Sequence, residues 1–79
     1  MRHERIVSNP KIMFGKPTIR GTRLTVELIL RELGRGATVN ELIYDYPSLI
    51  PEDILAAQAF AADYLADERI ADDRIEAAE

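Results

Sequence analysis

The sequence predicts a mainly α fold: a small N-terminal β-hairpin or sheet followed by three helices in helix-turn-helix order, homeodomain-like or winged. Three observations carry this. Gly15 to Val26 packs turn, strand and helix-start chemistry into twelve residues, Thr38-Val39-Asn40-Glu41 matches a capping box, and Pro51 opens an Ala-rich run long enough for a third helix.

Along the chain, Ile6-Val7 and Ile12-Met13-Phe14 read as short strands separated by the turn formers Ser8-Asn9-Pro10. Thr18-Ile19 reads as another, and Gly21 supplies the φ > 0 position of a tight turn, after which Thr22-Arg23-Leu24 is expected to return antiparallel. The edges of so small a sheet ask for a partner strand, which favours a homodimer.

Thr25 stands directly before Val26, Ile29, Leu30 and Leu33, an i, i+3, i+4, i+7 face. Its hydroxyl is therefore placed to cap a first helix over Val26 to about Leu33, with Gly34 and Gly36 available for the left-handed closing turn. The second helix starts at Val39, buries Val39, Leu42, Ile43 and Tyr46, and is ended by Pro47. In the third, Pro51 takes the first position, Glu52 and Asp53 face the positive end of the dipole, and Ile54, Ala57, Ala61, Tyr64 and Leu65 share one face with Phe60 at its margin. Residues 1–68 are expected to form one domain, with 69–79 an acidic tail or helix extension.

At 79 residues the chain buries only roughly 60 % of the surface its unfolded form exposes, so the core must be economical or completed by a partner. With no cysteine, disulfides and thiolate metal sites are excluded. No window approaches the ~20 apolar residues of a membrane span, so a soluble, cytoplasmic protein without membrane contact is expected.

The net charge of −4 conceals a division. Residues 1–36 carry eight Lys/Arg against three acids, a net +5, whereas residues 37–79 carry two Arg against eleven acids, a net −9. Two surfaces facing two partners are implied. The uneven charge equally suits an ordinary small domain.

Gly15-x-Pro17-x-Ile19-x-Gly21-Thr22-Arg23-x-x-Val26, then Gly36, Tyr46-Pro47 and Glu52-Asp53-Ile54, resembles the prokaryotic family catalogued as domain of unknown function 433, over roughly residues 4–66. The resemblance implies a helix-turn-helix-like antitoxin of a toxin-antitoxin pair, commonly beside a toxin with a PIN-like nuclease fold. Thr25 replaces a frequent Pro, which keeps a helix start. Ile50 replaces a frequent Thr and has no side-chain oxygen to cap the third helix.

In its usual mode a helix-turn-helix inserts its second helix into the major groove, with Lys or Arg on phosphates and bases. Residues 37–68 contain neither Lys nor Arg, and the third helix carries Glu52, Asp53, Asp63, Asp67 and Glu68. Nucleic-acid contact therefore falls to Lys16, Arg20, Arg23, Arg31 and Arg35. The structural alternative for Arg23 is an ion pair with Asp45 or Glu41, and for Arg20 plain solvation.

Catalysis is not expected, nor a cofactor or metal. Asp63 and Asp67 stand i, i+4 and Asp72-Asp73 follow, without a histidine to complete a site. His3, the single histidine, is placed near a terminus expected to be mobile. The expectation is an antitoxin-like protein whose Asp63, Asp67, Glu68, Arg69, Ile70, Arg74 and Ile75 cover the basic RNA-binding surface of a PIN-like nuclease toxin, Arg69 or Arg74 reaching its metal-binding carboxylates. The alternative is a stand-alone DNA-binding regulator using the basic half, and a third possibility is a structural dimer with neither activity.

Overall fold

The computed structural model describes residues 3–67. Two short strands, β1 (Ile6–Val7) and β2 (Thr18–Ile19), precede three helices, α1 (Val26–Gly34), α2 (Val39–Asp45) and α3 (Pro51–Asp67). The mainly helical architecture with a small sheet is the expected one; the strand pairing is not.

Thr18-Ile19 pairs antiparallel with Ile6-Val7, Ile6 opposite Ile19, and not with Thr22-Arg23-Leu24 as a hairpin. Burial decides this: Ile6 and Ile19 both enter the core, whereas Arg23 between Thr22 and Leu24 stays in water. The return survives as a bridge between Thr18 and Thr25, with the Ile19 amide donating to the Leu24 carbonyl at 2.9 Å. Gly21, at φ +81°, makes the intervening turn.

Ile12-Met13-Phe14 is no strand either. Ile12 bridges Asn9, and Met13–Gly15 form a tight turn closed by Gly15 and Lys16 amides on the Ile12 and Met13 carbonyls, each 3.1 Å. Met13 and Phe14, at φ +51° and +59°, are the non-glycine residues with positive φ among the described residues. Each costs about 1–2 kcal/mol relative to ordinary backbone.

The helix termini follow their local codes. Thr25 accepts the Leu28 amide at 3.0 Å, and Thr38 and Glu41 exchange both bonds of the capping box. Behind α1 the Gly36 amide reaches the Leu33 carbonyl and the Ala37 amide that of Glu32, a Schellman closure needing φ +101° at Gly36. Gly34 remains inside the helix. Ile50 receives its cap from the other side: its amide donates to Asp53 Oδ2 at 3.1 Å, the reciprocal half of a capping box.

The core gathers Ile6 and Ile19 from the sheet, Val26 and Ile29 from α1, Leu42 from α2, Leu49 from the following turn, and Ile54 and Ala57 from α3. Each large aliphatic so buried contributes about 1.5–3 kcal/mol of transfer free energy. Three expected core positions differ: Val39, the first residue of α2, is exposed, and so are Tyr64 and Leu65, because the last turns of α3 run past the end of the core.

Candidate functional site

The cations of the basic half are dispersed. Lys16 Nζ and Arg31 Nη2 both donate to Glu27, at 3.1 and 2.7 Å, joining the segment before β2 to the exposed side of α1. The hydrogen bond from Lys16, then that from Arg31, hold the Glu27 carboxyl below its ordinary 4.5. Arg35 pairs with Glu32 at 3.4 Å, one turn farther along. Arg20 is not simply solvated, since its Nε donates to the Glu4 carbonyl at 2.6 Å. Arg23 is exposed, and the alternative pairing with Asp45 or Glu41 is not formed: it makes no ion pair among the described residues. Lys16 and Arg31 thus share one carboxylate, while Arg20, Arg23 and Arg35 stand apart from that cluster.

Two long-range side-chain pairings were not anticipated. Asp53, expected among the carboxylates that α3 presents to solvent, is 4 % exposed and accepts from Arg5 Nη1 at 2.9 Å. His3 is not a loose terminal residue: its imidazole lies edge-on to Phe60, ring centroids 5.4 Å apart, and Nε2 donates to Asp63 Oδ2 at 2.9 Å. Separations of 48 and 60 residues leave no local signal for either.

The acidic half presents apolar side chains as well. Val39, Tyr44, Ile50 and Leu55 are exposed along α2, the turn and the start of α3, in a stretch without a single Lys or Arg. Among the partner-binding candidates, Asp63 is the carboxylate bound by His3, Asp67 is the last residue of α3, and Glu68, Arg69, Ile70, Arg74 and Ile75 lie outside the described residues.

Between α1 and the C-terminal half of α3 runs an open apolar groove of about 630 Å³. Val26 and Leu30 form one wall, Phe60, Tyr64 and Leu65 the other, and Pro17 the lip. Tyr64 and Leu65 keep 60 % and 58 % of their surface in water. Outside the groove, on the left-handed turn that begins the Gly15 segment, Phe14 is 95 % exposed. Its place in an apolar triplet reads as a strand, so nothing local marked it as a projecting side chain.

No cluster of three or more His, Asp or Glu arranged to hold a metal ion occurs among the described residues, and no described helix is long and apolar enough to cross a membrane. What the arrangement offers is binding surface: an acidic and apolar face, an apolar groove and separate cationic sites.

Comparison with known proteins agrees with this architecture. The family described as "Protein of unknown function (DUF433)" matches residues 6–61. The uncharacterized protein y4eO of Sinorhizobium fredii is 34 % identical over 58 residues, which are 73 % of this chain and 26 % of that protein. The chain thus spans about a quarter of the length of that curated relative. The crystal structure of a DUF433 member protein from Anabaena variabilis superposes with a TM-score of 0.70 at 30 % identity, covering 91 % of this chain and 68 % of that one.

Proposed function

Because the chain belongs to the DUF433 family, we propose that it acts as the antitoxin-like member of a prokaryotic toxin-antitoxin pair, binding and neutralising a PIN-like ribonuclease in the cytoplasm. One observation carries the reading: residues 37–68, free of Lys and Arg, expose Val39, Tyr44, Ile50 and Leu55 beside their carboxylates. Phosphate is repelled by such a face. A protein whose own surface is basic because it binds RNA is attracted to it, the charges steering the encounter and the apolar side chains supplying anchors.

In this reading α3 and residues 68–79 lie over the toxin's RNA channel, and Arg69 or Arg74 reaches the carboxylates that hold the nuclease's metal. The chain needs no catalysis, metal or cofactor of its own. Co-expression with the product of the neighbouring gene tests the pairing: the expected result is co-purification and loss of ribonuclease activity. Truncation after Leu65 is expected to weaken that inhibition. A neighbour that neither binds nor encodes a nuclease overturns the antitoxin reading, and full neutralisation by the shortened chain removes the role of the tail alone.

A second reading, autoregulatory or stand-alone DNA binding, is favoured by Arg23, exposed and without an ion pair among the described residues, near Arg20 on the loop after β2. It predicts a mobility shift on the chain's own promoter that weakens as salt rises and disappears in Arg20→Glu with Arg23→Glu. Absence of any shift at low salt, with and without the toxin, rejects it.

A further inference from the structure

We propose that two copies of this chain pair about a twofold axis, the Phe14 ring of each seated in the α1/α3 groove of the other. The knob is held in place by backbone. Met13 and Phe14 keep an unfavourable left-handed conformation, locked by the two 3.1 Å turn bonds and the bridge of Ile12 to Asn9, and the outcome is a phenyl ring 95 % in water. A strained turn that displays rather than buries its largest side chain is built for contact with another surface.

The hole is of matching character. Val26, Leu30, Phe60, Tyr64 and Leu65 line an open groove of about 630 Å³, ample for one ring, and the chain's own Phe14 lies outside it. Pro17 at the lip is three residues beyond Phe14, so knob and hole adjoin on one side of the molecule. A twofold axis near that lip brings each ring over the other copy's groove, and the two insertions close the assembly without leaving a site to propagate.

The charged side chains of the groove, Glu27 and Arg31, are paired with each other, and Glu27 also takes Lys16, so the groove presents no net charge and the match of ring to groove is apolar. A phenylalanine buries roughly 150–250 Å². Two rings with the groove surface they cover thus come to roughly 600–1,000 Å², below the ~1,200 Å² of stable complexes, so the dimer is a weak one that dissociates on dilution. The acidic face of Tyr44, Ile50 and Leu55 is left for another partner, and the inference stands independently of the antitoxin reading.

Sedimentation equilibrium of the full chain from about 1 μM to about 1 mM is expected to show a reversible dimer. Phe14→Ala removes a ring that supports nothing inside its own fold and is expected to raise the dissociation constant at least ~10-fold with unchanged circular dichroism. Tyr64→Ala weakens the same equilibrium from the other side. Since the chain has no cysteine, single-cysteine chains Phe14→Cys and Leu65→Cys, one of them tagged, are mixed and air-oxidised. Random oxidation gives about twice as much mixed disulfide as either self-linked product, and the mixed product is expected well above that ratio. A chain monomeric throughout, a dimer indifferent to Phe14→Ala, or a mixed disulfide at or below the random ratio overturns the proposal.

Discussion

Arg5 and Asp53, 48 positions apart, meet at 2.9 Å, and the second oxygen of the same carboxylate accepts the Ile50 amide. One buried side chain therefore caps α3 and ties the residue before β1 to it. Both bonds are charge-assisted and Asp53 has almost no access to water, so neither is readily replaced by solvent.

Asp53→Ala is expected to lower stability by about 2 kcal/mol, about 1 from the lost cap and the rest from the lost pair, discounted because Arg5 is half exposed. The melting midpoint then falls by about 10 °C for a domain of this size. Unfolding of Arg5→Ala, Asp53→Ala and the double variant measures the coupling. A coupling energy below about 0.5 kcal/mol would show that the pair does not hold the N-terminal strand to α3.

Glu27 gives the chain an acid-side pH dependence. Lys16 and Arg31 favour the ionised form in the folded state, so its folded pKa lies below the unfolded value. The sign follows: the contribution is complete above about pH 4.5 and is lost as pH falls through the lower, folded value. Carboxyl NMR is expected to place the Glu27 midpoint under 4.5, and added salt moves it back toward that value because the group is exposed. Glu27→Gln flattens the stability profile in that window; an unchanged profile would refute the assignment.

Gly34 and Gly36 respond oppositely to the same substitution. Gly36 sits at φ +101° in the Schellman turn, so Gly36→Ala is expected to cost about 1–2 kcal/mol even though the space for a Cβ is open. Gly34 is helical with nothing within 4 Å of an added Cβ, and Gly34→Ala is expected to stabilise by about 0.5–1 kcal/mol. Denaturant midpoints of the two variants, one below and one above the parent, check this.

Much of the fold was legible because its signals act over three or four residues. Thr25, the Thr38/Glu41 box, Gly21, Gly36 and Pro51 each satisfy or release backbone groups of their immediate neighbours, and each stands where its chemistry required. Ile50 shows the limit even at short range. A residue with no capping oxygen still begins a helix, because Asp53 three positions later supplies the acceptor.

The candidate surfaces were legible as composition and not as geometry. The division into basic and acidic halves is a property of the chain, but it did not foretell that Glu27 would join Lys16 to Arg31 or that Asp53 would turn inward to Arg5. Apolar triplets are equally ambiguous. Ile12-Met13-Phe14 has strand character, and only the absence of a pairing strand let the left-handed turn form and put Phe14 into water.

By itself, then, the sequence determined three helices, the caps of the first two, the turn at Gly21 and a chain divided by charge, since each is written in neighbouring residues. Tertiary structure alone decided that β2 pairs with β1, that His3 and Arg5 dock on α3, and that α1 and α3 leave a groove open past the end of the core. The physical reason is separation along the chain. Contacts across 48 or 60 residues arise only once packing of the core has brought their elements together, and no local propensity encodes them.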